Sequence, residues 1–366
     1  MQKMHRDLSS SDCAILWRVL RRRGVGVGHM GGRLAPVALS LLLSVIYAST
    51  SPPTRVVVVG GTHGNEFTGV YVIEHLRPDV LRDKYPSLQV ETLLANPRAH
   101  ESNQRFVDDD LNRQFSQSKR TKSTGYEALR AAVLNQAIGP KGSPRAADFV
   151  IDLHTTTANM GCTIIVNSYC TLTLRAAAYL AEMWDTCEGD DEDSPSSTHP
   201  LRVYVHEVSQ EAAPYLCTVG KAGITIEVGP TPQGLIRADA VAATQRALRL
   251  LLRYLELDAG GMAPPPPATL PVFVDGGKVP WPAAADDLPA SRLPGALVAP
   301  TLQDRDFEPL HTGEPMFVTP DGGAITYDGA SGDVVHPVFV NEAAYYYAES
   351  GSAGVALTAR ADWPLG

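Results

Sequence analysis

Two periods of hydrophobic and polar positions run through this chain, and together they predict its elements. Arg55–Val59 reads RVVVV, an unbroken β-branched run that predicts a strand buried on both faces. Gly60 and Gly61 end it. From Phe67 to Leu76 the period lengthens, with Val70, Ile73 and Leu76 on one side, which predicts a helix. His63 and Glu66 therefore fall on a strand-to-helix loop, the edge of an open α/β sheet at which ligands bind. Further strands are predicted at Leu88–Leu94, Asp148–Leu153, Cys162–Val166, Leu201–Val205 and Gly223–Val228. Helices are predicted at Tyr126–Ile138, Leu172–Trp184 and Arg237–Leu257. Residues 98–125 are polar and read as loop. Glu188–Pro200, acidic and serine-rich, reads as a surface loop.

Strands alternating with helices predict an α/β sheet covered by helices on both faces. Gly260–Pro267 contains consecutive prolines and reads as a stiff linker. It divides an α/β domain, 54–259, from a smaller β-rich domain, 268–366, in which Val, Thr, Gly and Pro dominate. A length of 366 residues suits two domains. Residues 1–53 are set apart. Arg18, Arg21, Arg22, Arg23 and Arg33 precede an apolar run, Leu34–Ala48, that is too short for a comfortable membrane span. It reads as a signal-peptide core, an organelle transit segment or a plain extension. No membrane span is expected in the mature chain, and cytoplasmic residence is the expectation.

Composition narrows the partners. Apolar residues make up 44% and charged residues 19%, enough for a sizeable core. The net charge of -9 and the lack of a basic cluster beyond the N-terminus argue against nucleic acid. An anionic small molecule would need local arginines. Five cysteines without a CxxC pair (Cys13, Cys162, Cys170, Cys187 and Cys217) read as reduced thiols.

The candidate chemistry centres on Gly60–Glu66, GGTHGNE. His63 and Glu66 are close enough there to bind one ion, and His154 follows the strand FVIDL. Two histidines and a glutamate are a known catalytic zinc set. HxxE spacing alone is weak evidence. Placement at strand ends, beside small and hydroxyl residues, strengthens it. Asp152 shares a strand face with His154 and could orient it, although a local hydrogen bond is the more ordinary role. Taken singly, the other polar residues have plain readings. Glu227 on an apolar strand reads as a buried residue paired with an arginine. Arg105, Asn112 and Arg113 read as solvated loop, Asp108–Asp110 suggests a cation site but reads rather as a solvated acidic turn, and Tyr345–Tyr347 read as ordinary aromatics.

In order along the chain stand GGTHGNE, NPRAHESNQRF with DLNR, DLHTTTANMGC, IEVGPTPQG with IRAD, and PVFVNEAAYY. Together they resemble the aspartoacylase and aminoacylase 3 family of zinc carboxypeptidase-like hydrolases, over roughly residues 55–360. The resemblance implies a mixed sheet flanked by helices and a C-terminal β domain that narrows the site. It implies hydrolysis of a linear amide bond in an N-acyl-L-amino acid, giving a carboxylate and a free amino acid. One zinc per subunit would be held by His63, Glu66 and His154. Glu227 would be the general base and Arg105 would polarise the scissile carbonyl. Asn112, Arg113 and Tyr345 would contact the substrate. A homo-oligomer is also implied.

The sequence departs from the aspartate-specific pattern at two places. Cys217 stands where such members carry an arginine, and residues 211–222 contain none. No lysine follows NEAAYY; Tyr347, Ala348, Glu349 and Ser350 stand there instead. Losing charged partners for a second carboxylate costs a few kcal/mol of recognition. The expected substrates are therefore N-acyl aromatic amino acids or N-acetylcysteine conjugates, nearer aminoacylase 3. The alternatives are an aspartoacylase proper, a metallocarboxypeptidase and a non-catalytic zinc protein.

Overall fold

The computed structural model of the protein describes residues 54–116, 119, 124–186, 198–283, 293–346 and 354–365. The leader 1–53, most of the acidic stretch Glu188–Pro200 and the residues just after Tyr346 lie outside them.

Thirteen strands and six α-helices are described. The strands are β1 (Thr54–Gly60), β2 (Leu88–Leu94), β3 (Phe149–Thr155), β4 (Gly161–Asn167), β5 (Leu201–His206), β6 (Ala222–Gly229), β7 (Thr269–Val279), β8 (Leu297–Val298), β9 (Leu310–His311), β10 (Pro315–Val318), β11 (Ala324–Thr326), β12 (Val334–Val338) and β13 (Val355–Pro364). The helices are α1 (Phe67–His75), α2 (Pro78–Lys84), α3 (Pro97–Glu101), α4 (Tyr126–Ile138), α5 (Thr171–Met183) and α6 (Ala238–Ala259). Short 3-10 turns occupy Leu111–Arg113, Leu216–Val219 and Ala343–Tyr346.

Ten strands form one mixed sheet in the order β2-β1-β3-β6-β4-β5-β7-β13-β12-β9. β2, β1, β3 and β6 run parallel, and β4 is antiparallel to β6. β5 pairs in parallel with both β4 and β7, so the sheet continues past the proline-rich stretch. A three-stranded sheet, β11-β10-β8, packs at the far end around Phe317 and Met316.

The RVVVV run explains the two-sided core. Val56 and Val58 pack with the cluster that holds α1, α5 and α6. Val57 and Val59 point the other way and pack with Leu134 and Ile138 of α4. A period-two strand with all positions apolar thus carries helices on both faces. α6 adds an amphipathic stripe of Leu248, Leu251, Leu252 and Leu255, spaced three and four apart and buried against the first cluster. The expected α/β architecture with a β-rich C-terminal region is what the chain adopts. No described helix is long and apolar enough to cross a membrane.

Two short helices differ from the sequence reading. α2 has no buried residue, so it carries no apolar period to detect. α3 lies within the polar stretch read as loop. It is started by Pro97 and by Asn96, whose side chain accepts from the Ala99 N–H.

Candidate metal centre and pocket

The loop after β1 is tight because its backbone is crowded. Gly61 has φ +68°, a conformation that favours glycine. A Cβ on Gly64 would lie 2.2 Å from the Ala99 carbonyl carbon, so only glycine lets α3 approach. The Gly64 N–H donates to the Arg105 carbonyl at 3.1 Å, and the Asn96 N–H donates to the Gly61 carbonyl at 3.0 Å. The loop therefore presents His63 and Glu66 as fixed groups.

β3 delivers His154 to the same point. His63 Nδ1 lies 2.6 Å from Glu66 Oε1, and His154 Nδ1 lies 2.9 Å from Glu66 Oε2. The two Nδ1 atoms are 3.2 Å apart. All three side chains are buried, with one ligand atom from each within 4.8 Å of the others. Two ring nitrogens facing each other at this distance repel unless a proton or a cation lies between them. Ligands bonded at about 2.0–2.1 Å to a tetrahedral ion are themselves roughly 3.3 Å apart. The donor set therefore fits a metal ion.

Each ring has a carboxylate behind it. Asp110 Oδ1 lies 3.1 Å from His63 Nε2, and Asp152 Oδ2 lies 2.9 Å from His154 Nε2, close but poorly aligned for a hydrogen bond. Thr62 Oγ1 donates to the other Asp152 oxygen at 2.7 Å. Carboxylates in these places hold the ring proton on Nε2 and leave Nδ1 to act as a ligand. Burial opposes charge on His154, but Asp152 and Glu66 carry its pKa well above the ordinary histidine value. Burial likewise raises Glu66, yet His63 and His154 hold it far below the carboxylate range.

Asp110 is the least expected member. The sequence reading put Asp108–Asp110 in a solvated turn. Asp108 and Asp109 are exposed, but Asp110 is buried. Its Oδ2 accepts from Arg105 Nη2 at 3.1 Å, and its Oδ1 accepts from the Asn112 N–H at 2.8 Å, capping the turn of Asn112 and Arg113. Glu127 of α4, fully buried, shapes this loop. It accepts from the N–H groups of Val107, Asp108 and Asp109 at 2.7, 2.9 and 3.2 Å, and from Asn96 Nδ2 at 3.1 Å. Asp110 is marked in the sequence only as the first residue of DLNR and Glu127 by nothing, because each acts on chain that is distant or turned by a long-range contact.

The candidate residues meet around one cavity of about 370 Å³. His63, Glu66, His154, Glu227, Arg105, Asn112, Arg113 and Tyr345 all line it. Glu227 stands on β6 opposite His154 on β3 in the parallel register. Burial pushes its carboxyl well above the ordinary range; Glu66 and Glu342 add to this while His154 and Arg105 oppose it. Arg105 Nη1 donates to Glu66 Oε1 at 3.2 Å, so its guanidinium is locked between Glu66 and Asp110. Asn112 Oδ1 accepts from the Leu216 N–H at 2.8 Å, which ties the Asn112–Arg113 turn to the Cys217 turn. The Arg113 guanidinium lies 5.5 Å over the Tyr215 ring. The plain reading of Arg105, Asn112 and Arg113 as solvated loop does not hold, since all three side chains turn inward.

Glu342 brings the C-terminal region to the site. It is buried, and its Oε2 accepts from Thr156 Oγ1, from the Thr157 N–H at 2.7 Å and from Thr157 Oγ1 at 3.0 Å. Its Oε1 accepts from the Ala344 N–H at 2.9 Å. The threonines that follow His154 are thus clamped to the turn that presents Tyr345. Near Tyr345, burial raises the phenol pKa while Arg113 and Arg105 oppose it. Replacing Glu342 by alanine strands several buried donors, each costing about 1–3 kcal/mol. The expected result is a loss of about 3 kcal/mol or more in a denaturant titration.

Cys217 is buried against Thr225, whose Oγ1 lies 3.5 Å from Sγ. Burial, with Asp152 nearby, pushes the thiol up to about 11, so it stays neutral at physiological pH. Of the described cysteines, Cys162, Cys170 and Cys217 are all free thiols.

Residues 52–255 match the succinylglutamate desuccinylase/aspartoacylase catalytic domain, and residues 285–353 match the AstE/AspA barrel-sandwich hybrid domain. A Mus musculus protein named N-acyl-aromatic-L-amino acid amidohydrolase (carboxylate-forming) is 38% identical over 308 residues, 83% of this chain and 91% of that protein. A Nostoc protein named probable aspartoacylase is 36% identical over 296 residues, 80% of this chain and 92% of its own. The crystal structure of murine aminoacylase 3 superposes with a TM-score of 0.72 at 36% identity, covering 86% of this chain and 98% of that one.

Proposed function

The chain belongs to the succinylglutamate desuccinylase/aspartoacylase family, and we propose that it is a zinc-dependent amidohydrolase that deacylates N-acyl-L-amino acids, with aromatic ones preferred. The observation that carries this reading is the buried convergence of His63, Glu66 and His154 beside Glu227 in one cavity.

The bound zinc would supply a Lewis acid that polarises the amide carbonyl and makes water more acidic. The chain's residues divide the remaining work. Glu227, raised by burial, is suited to take a proton from the attacking water and return it to the leaving amine nitrogen. Arg105, fixed by Asp110 and Glu66, meets the negative charge that develops on the carbonyl oxygen. Arg113 offers a planar fork to the substrate carboxylate, with Asn112 beside it. Tyr345 covers the site from the C-terminal turn that Glu342 anchors. Water is thereby kept from the reacting bond on that side.

The aromatic preference rests on the wall of the cavity away from the ligands. Cys217 and Thr225 line it as neutral groups where an acidic side chain would need a cation. The rings of Tyr204, His206 and Tyr215 adjoin one another, the first pair tilted at 4.6 Å between centroids and the second stacked at 5.1 Å, a surface suited to a flat apolar group. Aspartoacylase activity is the second reading, favoured by relatives of that name at nearly the same identity. A panel of N-acetyl-tyrosine, an N-acetylcysteine conjugate and N-acetyl-aspartate separates the two. The expected kcat/KM for the first two exceeds that for the third by at least about tenfold, the scale of one charge-assisted contact. A preference for aspartate would overturn the reading of Cys217.

A further inference from the structure

Asn167 ends β4 and lines the same cavity. It is 3% exposed, and its carboxamide oxygen Oδ1 is buried without a hydrogen-bond partner among the described residues. A buried carbonyl oxygen without a donor is costly, and native structures keep few of them. Of the buried polar atoms left unpaired among the described residues, two belong to residues that line the cavity, Asn167 Oδ1 and His154 Nε2. The second faces Asp152 in the metal centre. The first has no role in anything described above.

The register says what could reach it. Thr163 stands opposite Glu227, and Ile165 stands opposite Thr225. Alternate residues of a strand share a face, so Thr163, Ile165 and Asn167 form one row leading away from the metal centre. Asn167 lies four residues beyond the rung of Glu227, roughly 13 Å along the strand. A substrate held with its scissile bond at Glu227 reaches that far only with a long or aromatic side chain. Between the two ends the row passes Ile165, Thr225 and Cys217, which carry no charge.

We infer that Asn167 is a specificity-determining residue that hydrogen-bonds a hydroxyl or N–H group at the far end of an aromatic substrate side chain. A carboxamide offers both a donor and an acceptor, which matches a phenol. It offers no charge to hold a carboxylate. This rests on the deacylase reading above and sharpens it from aromatic substrates to polar aromatic ones.

N-acetyl-L-tyrosine and N-acetyl-L-phenylalanine differ by the one hydroxyl concerned, so their ratio reads Asn167 directly. Zinc-loaded full-length protein should favour the tyrosine derivative by roughly ten- to a hundredfold in kcat/KM, mainly through KM. Asn167→Leu should abolish that preference and leave the phenylalanine derivative little changed. Asn167→Ala adds no bulk and should lose the preference in the same way. A wild-type ratio near one would mean that the carboxamide serves only water, and a preference that persists in both variants would place the contact elsewhere. Either result overturns the inference. If neither compound is cleaved, the deacylase reading fails, and calorimetric binding of both compounds to Glu227→Gln protein still tests Asn167.

Discussion

Replacing Glu227 by glutamine should lower kcat by roughly 10²–10⁴-fold, the usual contribution of a positioned acid–base group, while the zinc content stays as in the wild type. Glutamine keeps the size of the side chain and can still hydrogen-bond a water molecule, but it cannot accept a proton. Glu227 is not among the three convergent ligand atoms, so the ion has no reason to leave. The substitution also removes the cost of burying a carboxylate, the main cause that raises Glu227, to which Glu66 and Glu342 add and which His154 and Arg105 oppose. Thermal stability should therefore hold or rise. Metal analysis alongside steady-state kinetics checks both halves, and near-normal turnover would remove Glu227 from the mechanism.

Replacing His154 by alanine should strip the zinc, from about one ion per chain to little or none. It removes one of three protein ligands and also leaves Asp152 and Glu66 without the ring that faces them. Both carboxylates are buried, so the folded state loses stability together with the metal. Activity should vanish and should not return on adding zinc, whereas chelator-treated wild type should recover. His206→Ala is the control for metal content alone, because that imidazole lines the cavity without joining the ligand set. Unchanged metal stoichiometry in His154→Ala would sink the ligand assignment.

The parts of the protein legible in its sequence are those written by local pattern. RVVVV announces a doubly buried strand wherever it occurs, and the helical spacing after Glu66 needs no distant partner. His63 and Glu66 could be placed on a strand-to-helix loop for that reason. Their meeting with His154 could only be suggested, because β1 and β3 become neighbours through pairing that no local signal encodes. Asp110 was hidden more deeply. Three aspartates in a row suggest water, and it takes Glu127 of a later helix gripping the preceding N–H groups, with Arg105 and His63 facing the carboxylate, to hold the third one inward. Glu342 is visible as part of a motif, but its work on Thr156 and Thr157 reaches back 186 and 185 residues along the chain. The pairing of β5 with β7 is of the same kind, a long-range choice across a stretch that reads as a linker.

That pairing bears on how the protein comes to exist in a cell. β7 is covered on one side by β5 and on the other by β13, at residues 355–364. While the chain is being made, β7 therefore presents an open edge until residues 355–364 have been synthesised. Unpaired edges of this kind recruit other chains. The turn carrying Tyr345 arrives equally late, so the catalytic cavity closes only as that edge is sealed. A nonsense mutation anywhere between residues 280 and 354 should then yield an aggregating product, with none of the reduced activity of a trimmed enzyme.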